Sequence, residues 1–149
     1  MDKSKHTLED FKVNVRIKLS ALWTSVMFCY IYGDYFELYV PKKVEGLLNG
    51  NNLLDSPIKL FGATIMLTIP ALMIFLSLIL RPKVSRLLNI TFGVIYSALM
   101  LMIAIASIAS NNRWLFFYIY LAIIEIILTL IIVRHAWTWQ KKQTDTKFT

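Results

Sequence analysis

Three acidic residues lie inside stretches that are otherwise apolar, and they are the residues of this sequence best suited to chemistry. Asp34 and Glu37 fall within the run LSALWTSVMFCYIYGDYFELYV, and Glu125 falls within WLFFYIYLAIIEIILTLIIVR. A carboxylate at the centre of a bilayer costs about 2.5–3.5 kcal/mol on insertion scales, so such groups normally face a protein interior or a wet cavity. These acids therefore indicate a functional site. The alternatives are hydrogen bonding between helices for Asp34 and contact with headgroup water for Glu37.

The helical positions of the acids give each of them polar or aromatic neighbours. Projected at about 100° per residue, the two acids of the first run share a stripe with two aromatic residues, and Glu125 shares one with a tyrosine and a threonine. Acids beside aromatic rings suit a cationic ligand, through charge and through the quadrupole of the ring. The predicted ligand-binding residues are Trp23, Tyr30, Asp34, Glu37, Tyr118, Glu125 and Thr129.

The apolar runs offer the acids no ion-pair partner, because no lysine or arginine lies in the interior of any run. Asp34 and Glu125 must then be protonated, share a bound cation or contact water. Their predicted depths differ by about five residues, or roughly 8 Å at the rise of a helix. We expect one cavity to hold both acids, with a water, a tyrosine or a ligand between them.

Four apolar runs must position these residues, and each is long enough to cross a bilayer. The chain has 149 residues, of which 57% are hydrophobic, and its mean hydropathy is +0.59. Runs of about 18 or more apolar residues indicate transmembrane helices. The sequence predicts an all-α fold, an integral membrane bundle of four transmembrane helices forming a single domain over residues 1–149. The predicted spans are 19–40, 58–80, 88–109 and 114–134.

The basic residues indicate the orientation of this bundle. Of the 16 lysines and arginines, all but Lys42, Lys43, Lys59 and Arg113 lie on one side of a four-span bundle. The positive-inside rule then places both termini in the cytoplasm. The basic segment 1–18 and the tail 135–149 are cytoplasmic in this prediction, and the loop 41–57 is external. The net charge of +7 indicates the bilayer and its anionic headgroups as partners, not nucleic acid.

The external loop and the start of the second span carry local signals. The apolar spacing of residues 44–48 predicts a short helix on the membrane surface, and Asn49-Gly50 predicts a turn with positive φ. Ser56 followed by Pro57 is typical of an N-cap and a first helical residue.

Two further features concern helix packing. Pro70 removes a backbone donor in the middle of the second span, which predicts a kink and a loosely satisfied Met66 carbonyl. The kink serves either packing or cavity formation.

In the third span, small residues four apart let helices approach closely. These small residues form a stripe along the helix, which predicts a helix interface. The interface lies either within the bundle or between protomers, so a homo-oligomer is one alternative. The stripe consists of Gly93, Ser97, Met100, Ala104 and Ser107.

No motif of a known catalytic type appears in the sequence. HExxH, CxxC, the nucleophile elbow, the Gly-rich phosphate loop and clusters with metal-ligand spacing are all missing. We therefore predict no cofactor and no metal site, and the sequence weighs against an enzyme. The four-span layout, with Asp34 in span one and Pro70 in span two, is similar to the sterol-isomerase and sigma-2 receptor superfamily. However, span two has no acid here, and the superfamily's histidine and acid pattern is missing.

Three functions fit these observations. The first is a cavity that binds or translocates a proton with a cation or small amine. The second is a non-catalytic membrane subunit or regulator, in which the acids fix helix packing. The third is an isomerase acting on a lipid-like substrate, with Asp34 or Glu125 as general acid or base.

A resemblance to a family complements these hypotheses. The stretch ALWTSVMFCYIYGDYFELYVP, the later PALMIFLSL and the acid of the fourth span resemble an uncharacterised family of small bacterial four-helix membrane proteins. The resemblance covers about Leu8 to Trp137. It implies the topology above and a multi-pass position in the bacterial cytoplasmic (inner) membrane, and it implies no activity and no site.

Overall fold

The computed structural model describes residues 12–139, in which every regular element is helical. This confirms the predicted all-α class. Residues 1–11 of the predicted basic segment and 140–149 of the predicted tail lie outside the described residues. The elements are α1 (Val15–Glu37), α2 (Lys43–Leu48), α3 (Pro57–Ile79), α4 (Pro82–Ala109), a 3₁₀ turn (Arg113–Leu115) and α5 (Phe116–Trp137).

Three of the four long helices are long and apolar enough to cross a membrane. These are α3, α4 and the stretch Arg113–Trp137, whose most apolar windows have mean hydropathies of 2.2, 2.2 and 2.7. By length and composition, these helices suggest a membrane protein with more than one pass. Helix α1 is also 23 residues long, or about 35 Å, but it carries charged residues at both ends.

The four long helices pack side by side around one core. Helix α1 packs against both α3 and α5, and α4 packs most extensively against α5. Helices α3 and α4 follow one another in the chain but touch much less. The core side chains include Trp23, Val26, Met73 and Ile132, all of which are fully or almost fully buried.

The ends of α1 determine the level of its acids. Asn14 caps the helix, because its Oδ1 accepts a hydrogen bond from the backbone N–H of Arg16 at 3.0 Å. The helix ends at Glu37, after which the chain turns and Lys42 adopts a φ of 66°. The helix is thus displaced towards the amino terminus relative to the predicted span 19–40. As a result, Asp34 lies in its last turn.

The short helix, the turn and the helix cap predicted within residues 44–57 are confirmed. Residues Lys43–Leu48 form α2, and Gly50 has a φ of 70° in the turn that follows. Ser56 caps α3, since its Oγ accepts a hydrogen bond from the N–H of Lys59 at 3.4 Å, and Pro57 is the first helical residue.

Helix α3 continues through Pro70, and another helix supplies a donor to the carbonyl that Pro70 leaves free. The hydroxyl of Tyr96 in α4 donates a hydrogen bond to the Met66 carbonyl. The expectation of a loosely satisfied carbonyl is therefore wrong. A buried tyrosine completes the hydrogen bonding that the proline prevents within its own helix.

The small residues at the start of the α4 stripe pack within the bundle. A Cβ on Gly93 would lie 2.6 Å from Cγ2 of Val133 and 3.4 Å from the carbonyl oxygen of Thr129, both in α5. The hydroxyls of Ser97 and Thr129 share a hydrogen bond of 2.7 Å. Of the two alternatives, this part of the stripe serves the α4–α5 contact of a single chain.

Candidate functional site

A cavity of about 200 Å³ opens among the four long helices, towards the end of the bundle that carries α2. Helices α1, α3, α4 and α5 all line it, and Leu54 from the loop between α2 and α3 also contributes. Of the seven residues predicted to bind a ligand, this cavity brings together Tyr30, Asp34, Tyr118 and Glu125. It does not include Trp23, Glu37 or Thr129 among its lining residues.

Glu125 is the most deeply buried acid of the cavity, and its carboxyl group is incompletely bonded. The residue is only 3% exposed, and its Oε2 has no hydrogen-bond partner among residues 12–139. The same holds for the hydroxyl of Tyr30, which is 8% exposed. Buried polar atoms normally have partners, because an unsatisfied one costs about 1–3 kcal/mol. Both residues line the same cavity, which makes this cavity the candidate functional site.

Asp34 lies at the rim of the same cavity. Its side chain is exposed and, within the described part of the chain, forms neither an ion pair nor a hydrogen bond. Its neighbour Gly33 is buried against α5, where a Cβ would lie 3.6 Å from Leu121 and 3.9 Å from Tyr118. The close approach of α1 to α5 at Gly33 therefore sets the position of Asp34.

Glu37, in contrast, is fully engaged. Its Oε1 pairs with the ammonium of Lys43 in α2, and its Oε2 accepts a hydrogen bond of 3.0 Å from the hydroxyl of Tyr118. The side chains of Glu37 and Lys43 are 25% and 24% exposed. This cluster ties the short helix α2 to α1 and α5 beside the cavity, and it leaves Glu37 without a free oxygen.

Trp23 belongs to a different polar cluster, one that the sequence analysis did not identify. Its indole N–H donates to Oδ1 of Asn89 at 2.8 Å, and the Ser77 hydroxyl donates to the same oxygen at 3.2 Å. The amide nitrogen of Asn89 donates to the Ser85 carbonyl at 2.8 Å. Asn89 is fully buried and links α1, α3 and α4. An asparagine inside the run 88–109 was the available signal.

Thr129 likewise lies outside the cavity. Besides its bond to Ser97, its hydroxyl lies 2.8 Å from the carbonyl oxygen of Glu125 in its own helix. Periodicity placed Thr129 and Glu125 on one stripe, but α4 covers the threonine while the glutamate faces the cavity.

The remaining cavity wall is apolar, and sequence reasoning did not predict it. Periodicity shows which residues share a face of a helix, but not which faces of four similarly apolar helices meet. Among the described residues, no group of three or more His, Cys, Asp or Glu could hold a metal ion. The arrangement can hold an organic cation, because carboxyl groups and aromatic rings attract positive charge and the apolar wall can contact the hydrocarbon part of a ligand. The wall includes Cys29, Leu54, Met66, Leu67, Met100 and Ile103.

The comparison with family models matches most of the chain to a described family. It is described as a family of unknown function (DUF6326), and it covers residues 7–146. The chain belongs to this family. The resemblance to an uncharacterised family is thereby confirmed, and the match includes every residue of the cavity. The comparison with curated proteins finds no match, and the comparison with solved structures finds none either.

Proposed function

We propose that this chain is a multi-pass protein of the bacterial cytoplasmic membrane whose cavity binds a small organic cation in exchange for a proton. Glu125 and Asp34 are the anionic partners of the ligand. The observation that carries the proposal is that Glu125 lines a cavity together with a second acid, while its buried Oε2 has no hydrogen-bond partner among residues 12–139.

The proposed membrane arrangement makes α1 a fourth span and puts the cavity in the outer half of the bilayer. The turn between α3 and α4 carries Arg81, Lys83 and Arg86, and Arg134 lies near the end of α5. These residues belong to the cytoplasmic side under the positive-inside rule. The opposite end of the bundle, where α2 and the cavity lie, is then external.

The exchange of cation and proton follows from the cost of charge in a membrane. An unpaired carboxylate in the bilayer interior is unfavourable by several kcal/mol, so the carboxyl group of Glu125 requires either a proton or a counter-ion. Within residues 12–139 its orphan oxygen has no protein partner. A bound cation would therefore replace the proton, and the two would compete for the same group.

The lining favours an organic cation over a hydrated metal ion. A volume of about 200 Å³ holds a small molecule, and the methionine and leucine side chains of the wall supply no ligand oxygen. The hydroxyl and ring of Tyr30 can accept an ammonium hydrogen bond and a cation–π contact beside Glu125.

The single cysteine of the chain offers a direct test, because Cys29 lines the cavity. We would measure the rate at which a small methanethiosulfonate reagent modifies Cys29 in purified protein, with and without simple alkylammonium ions. Bound cations should slow the modification and raise the thermal midpoint, and both effects should weaken at low pH, where protons compete.

The variants Asp34→Asn and Glu125→Gln should lose both effects. The matched control is Glu45→Gln, which alters an exposed acid of α2 that does not line the cavity. Protection that persists unchanged in both acid variants would refute the proposal. Absence of any cation effect, together with a large loss of stability in both variants, would mean that the acids hold the bundle together. The chain would then be a non-catalytic membrane subunit.

A further inference from the structure

The two acids that line the cavity belong to different helices and lie at different depths. Gly33 is next to Tyr118 and Leu121, so Asp34 lies close to the level of that turn of α5. Glu125 follows this turn by four to seven residues, which corresponds to about 6–10 Å along the helix axis. The cavity therefore presents one carboxyl at its rim and a second one well below it.

The third acid near the cavity is not available for a ligand. One oxygen of Glu37 pairs with Lys43 and the other accepts the Tyr118 hydroxyl. By contrast, Asp34 has no partner within residues 12–139, and Oε2 of Glu125 has none there either. Thus there are two anionic positions for a ligand, with a spacing set by the packing of α1 on α5.

Apart from its acids and tyrosines, the wall of the cavity is largely apolar. Met66 and Leu67 of α3, Met100 and Ile103 of α4, and Leu121 of α5 contribute to this wall. Such a wall packs well against methylene groups and offers nothing to a hydrated or strongly polar spacer.

We infer that the ligand is an aliphatic diamine, with one ammonium group at Glu125 and Tyr30 and the other at Asp34. This inference rests on the proposed function, because it specifies the cation that the same cavity binds. A chain of about four to six carbons spaces its two nitrogens to match the separation of about 6–10 Å estimated from the helix rise.

Charge balance also favours two ammonium groups over one. A monoamine neutralises one carboxyl and leaves the other to hold a proton, whereas a diamine neutralises both and displaces two protons. Each ammonium–carboxylate contact is a charge-assisted hydrogen bond, which is stronger than its neutral counterpart. The second contact is what separates a diamine from a monoamine of the same length.

The test measures Cys29 protection and thermal shift in an uncharged detergent at neutral pH, with a series of amines. The series contains butylamine, hexylamine, ethane-1,2-diamine, butane-1,4-diamine and hexane-1,6-diamine. We expect the two longer diamines to bind at least about tenfold more tightly than the monoamines and the short diamine. The monoamines and the short diamine can each form only one of the two charge-assisted contacts. In Asp34→Asn, this preference should shrink to less than about twofold, with Asp34→Ser as a second variant at the same exposed position.

The outcomes separate the inference from the proposed function. Equal protection by monoamines and diamines would overturn the diamine assignment and leave a cavity for simple cations. A diamine preference that survives both Asp34 variants would overturn the role of Asp34 as the second anchor. If no amine protects Cys29 in the wild type, the proposed function fails, and this inference fails with it.

Discussion

The Met66 carbonyl shows how one side chain compensates for a proline in another helix. Pro70 has no N–H to donate to this carbonyl, and Tyr96 of α4 donates its hydroxyl hydrogen instead. Both Pro70 and Tyr96 are buried. The proline leaves a carbonyl that the neighbouring helix satisfies, and this adds a link between α3 and α4 to the one that Ser77 and Asn89 form.

Replacing Tyr96 by phenylalanine should destabilise the protein by about 1–2 kcal/mol, because the Met66 carbonyl loses its donor in an apolar interior. In a Pro70→Ala background the same change should cost less than half as much, since the new backbone N–H of residue 70 can donate to that carbonyl. Unfolding of the four proteins in mixed micelles would give the coupling free energy.

The control for this cycle is Tyr120→Phe. Tyr120 is 65% exposed, and its hydroxyl has no hydrogen bond to the described residues, so the substitution should change stability by less than about 0.5 kcal/mol. An equal cost of Tyr96→Phe with and without Pro70 would contradict the proposed compensation.

At this scale, sequence reasoning identified the carbonyl but not its partner. The rule that a proline displaces the carbonyl four residues earlier is local, and it selected Met66 correctly. Finding Tyr96 requires knowing that α4 presents this residue at the same depth as Met66, and a single sequence does not contain that distance. Glu125 and Trp23 illustrate the same limit. Their chemistry was visible in the sequence, whereas only the packed helices show that one faces the cavity and the other Asn89.

Two glycines show how differently the same residue type acts within its helix. A Cβ on Gly93 would lie 2.6 Å from the Val133 side chain, whereas a Cβ on Gly62 would meet nothing within 4 Å. Both lie inside long helices, α4 and α3 respectively. Alanine at either position would give the same gain in helix propensity, so any difference between them reports packing.

We expect Gly93→Ala to lower stability by about 1–2 kcal/mol, because α5 must move away or Val133 must change its rotamer. Gly62→Ala should be neutral or stabilising by up to about 1 kcal/mol. Thermal midpoints in the same detergent would measure both. Val133→Ala removes the obstructing methyl group, so Gly93→Ala should cost less in that background. Equal effects of the two glycine substitutions would show that α4 and α5 do not pack as closely as described.

Element boundaries were predictable where a cap or a turn determines them. Ser56 and Pro57 start α3 through a cap and a fixed φ, both of which depend only on neighbouring residues. Gly50 likewise forms the turn after α2. The small-residue stripe of α4 predicted a close helix contact but not which helix makes it, because glycine permits the approach of any helix. The contact of Gly93 with α5 is thus a property of the assembled bundle.

At the scale of the whole molecule, α1 differs from the other three long helices in the charges that it carries. Helices α3, α4 and the stretch Arg113–Trp137 are apolar enough to cross by themselves. Helix α1 carries Asp34 and Glu37 in its last turn and Arg16 and Lys18 near its start. It can span because its charges lie near the interfaces, where long basic side chains reach headgroups, and because it packs against both α3 and α5.

Labelling of single cysteines in a Cys29→Ser background would decide the number of spans. With four spans, Asn51→Cys reacts with a membrane-impermeant maleimide in intact cells, whereas Lys12→Cys and Lys83→Cys react only after permeabilisation, because both lie on the cytoplasmic side. With three spans, residues 12 and 51 share one side, so their accessibilities would match. Lys83→Cys is the matched control, since it follows α3 in either arrangement. A match between residues 12 and 51 would remove α1 from the bilayer, and with it the helix that helps to bury the Glu125 carboxyl group and makes it require a counter-ion.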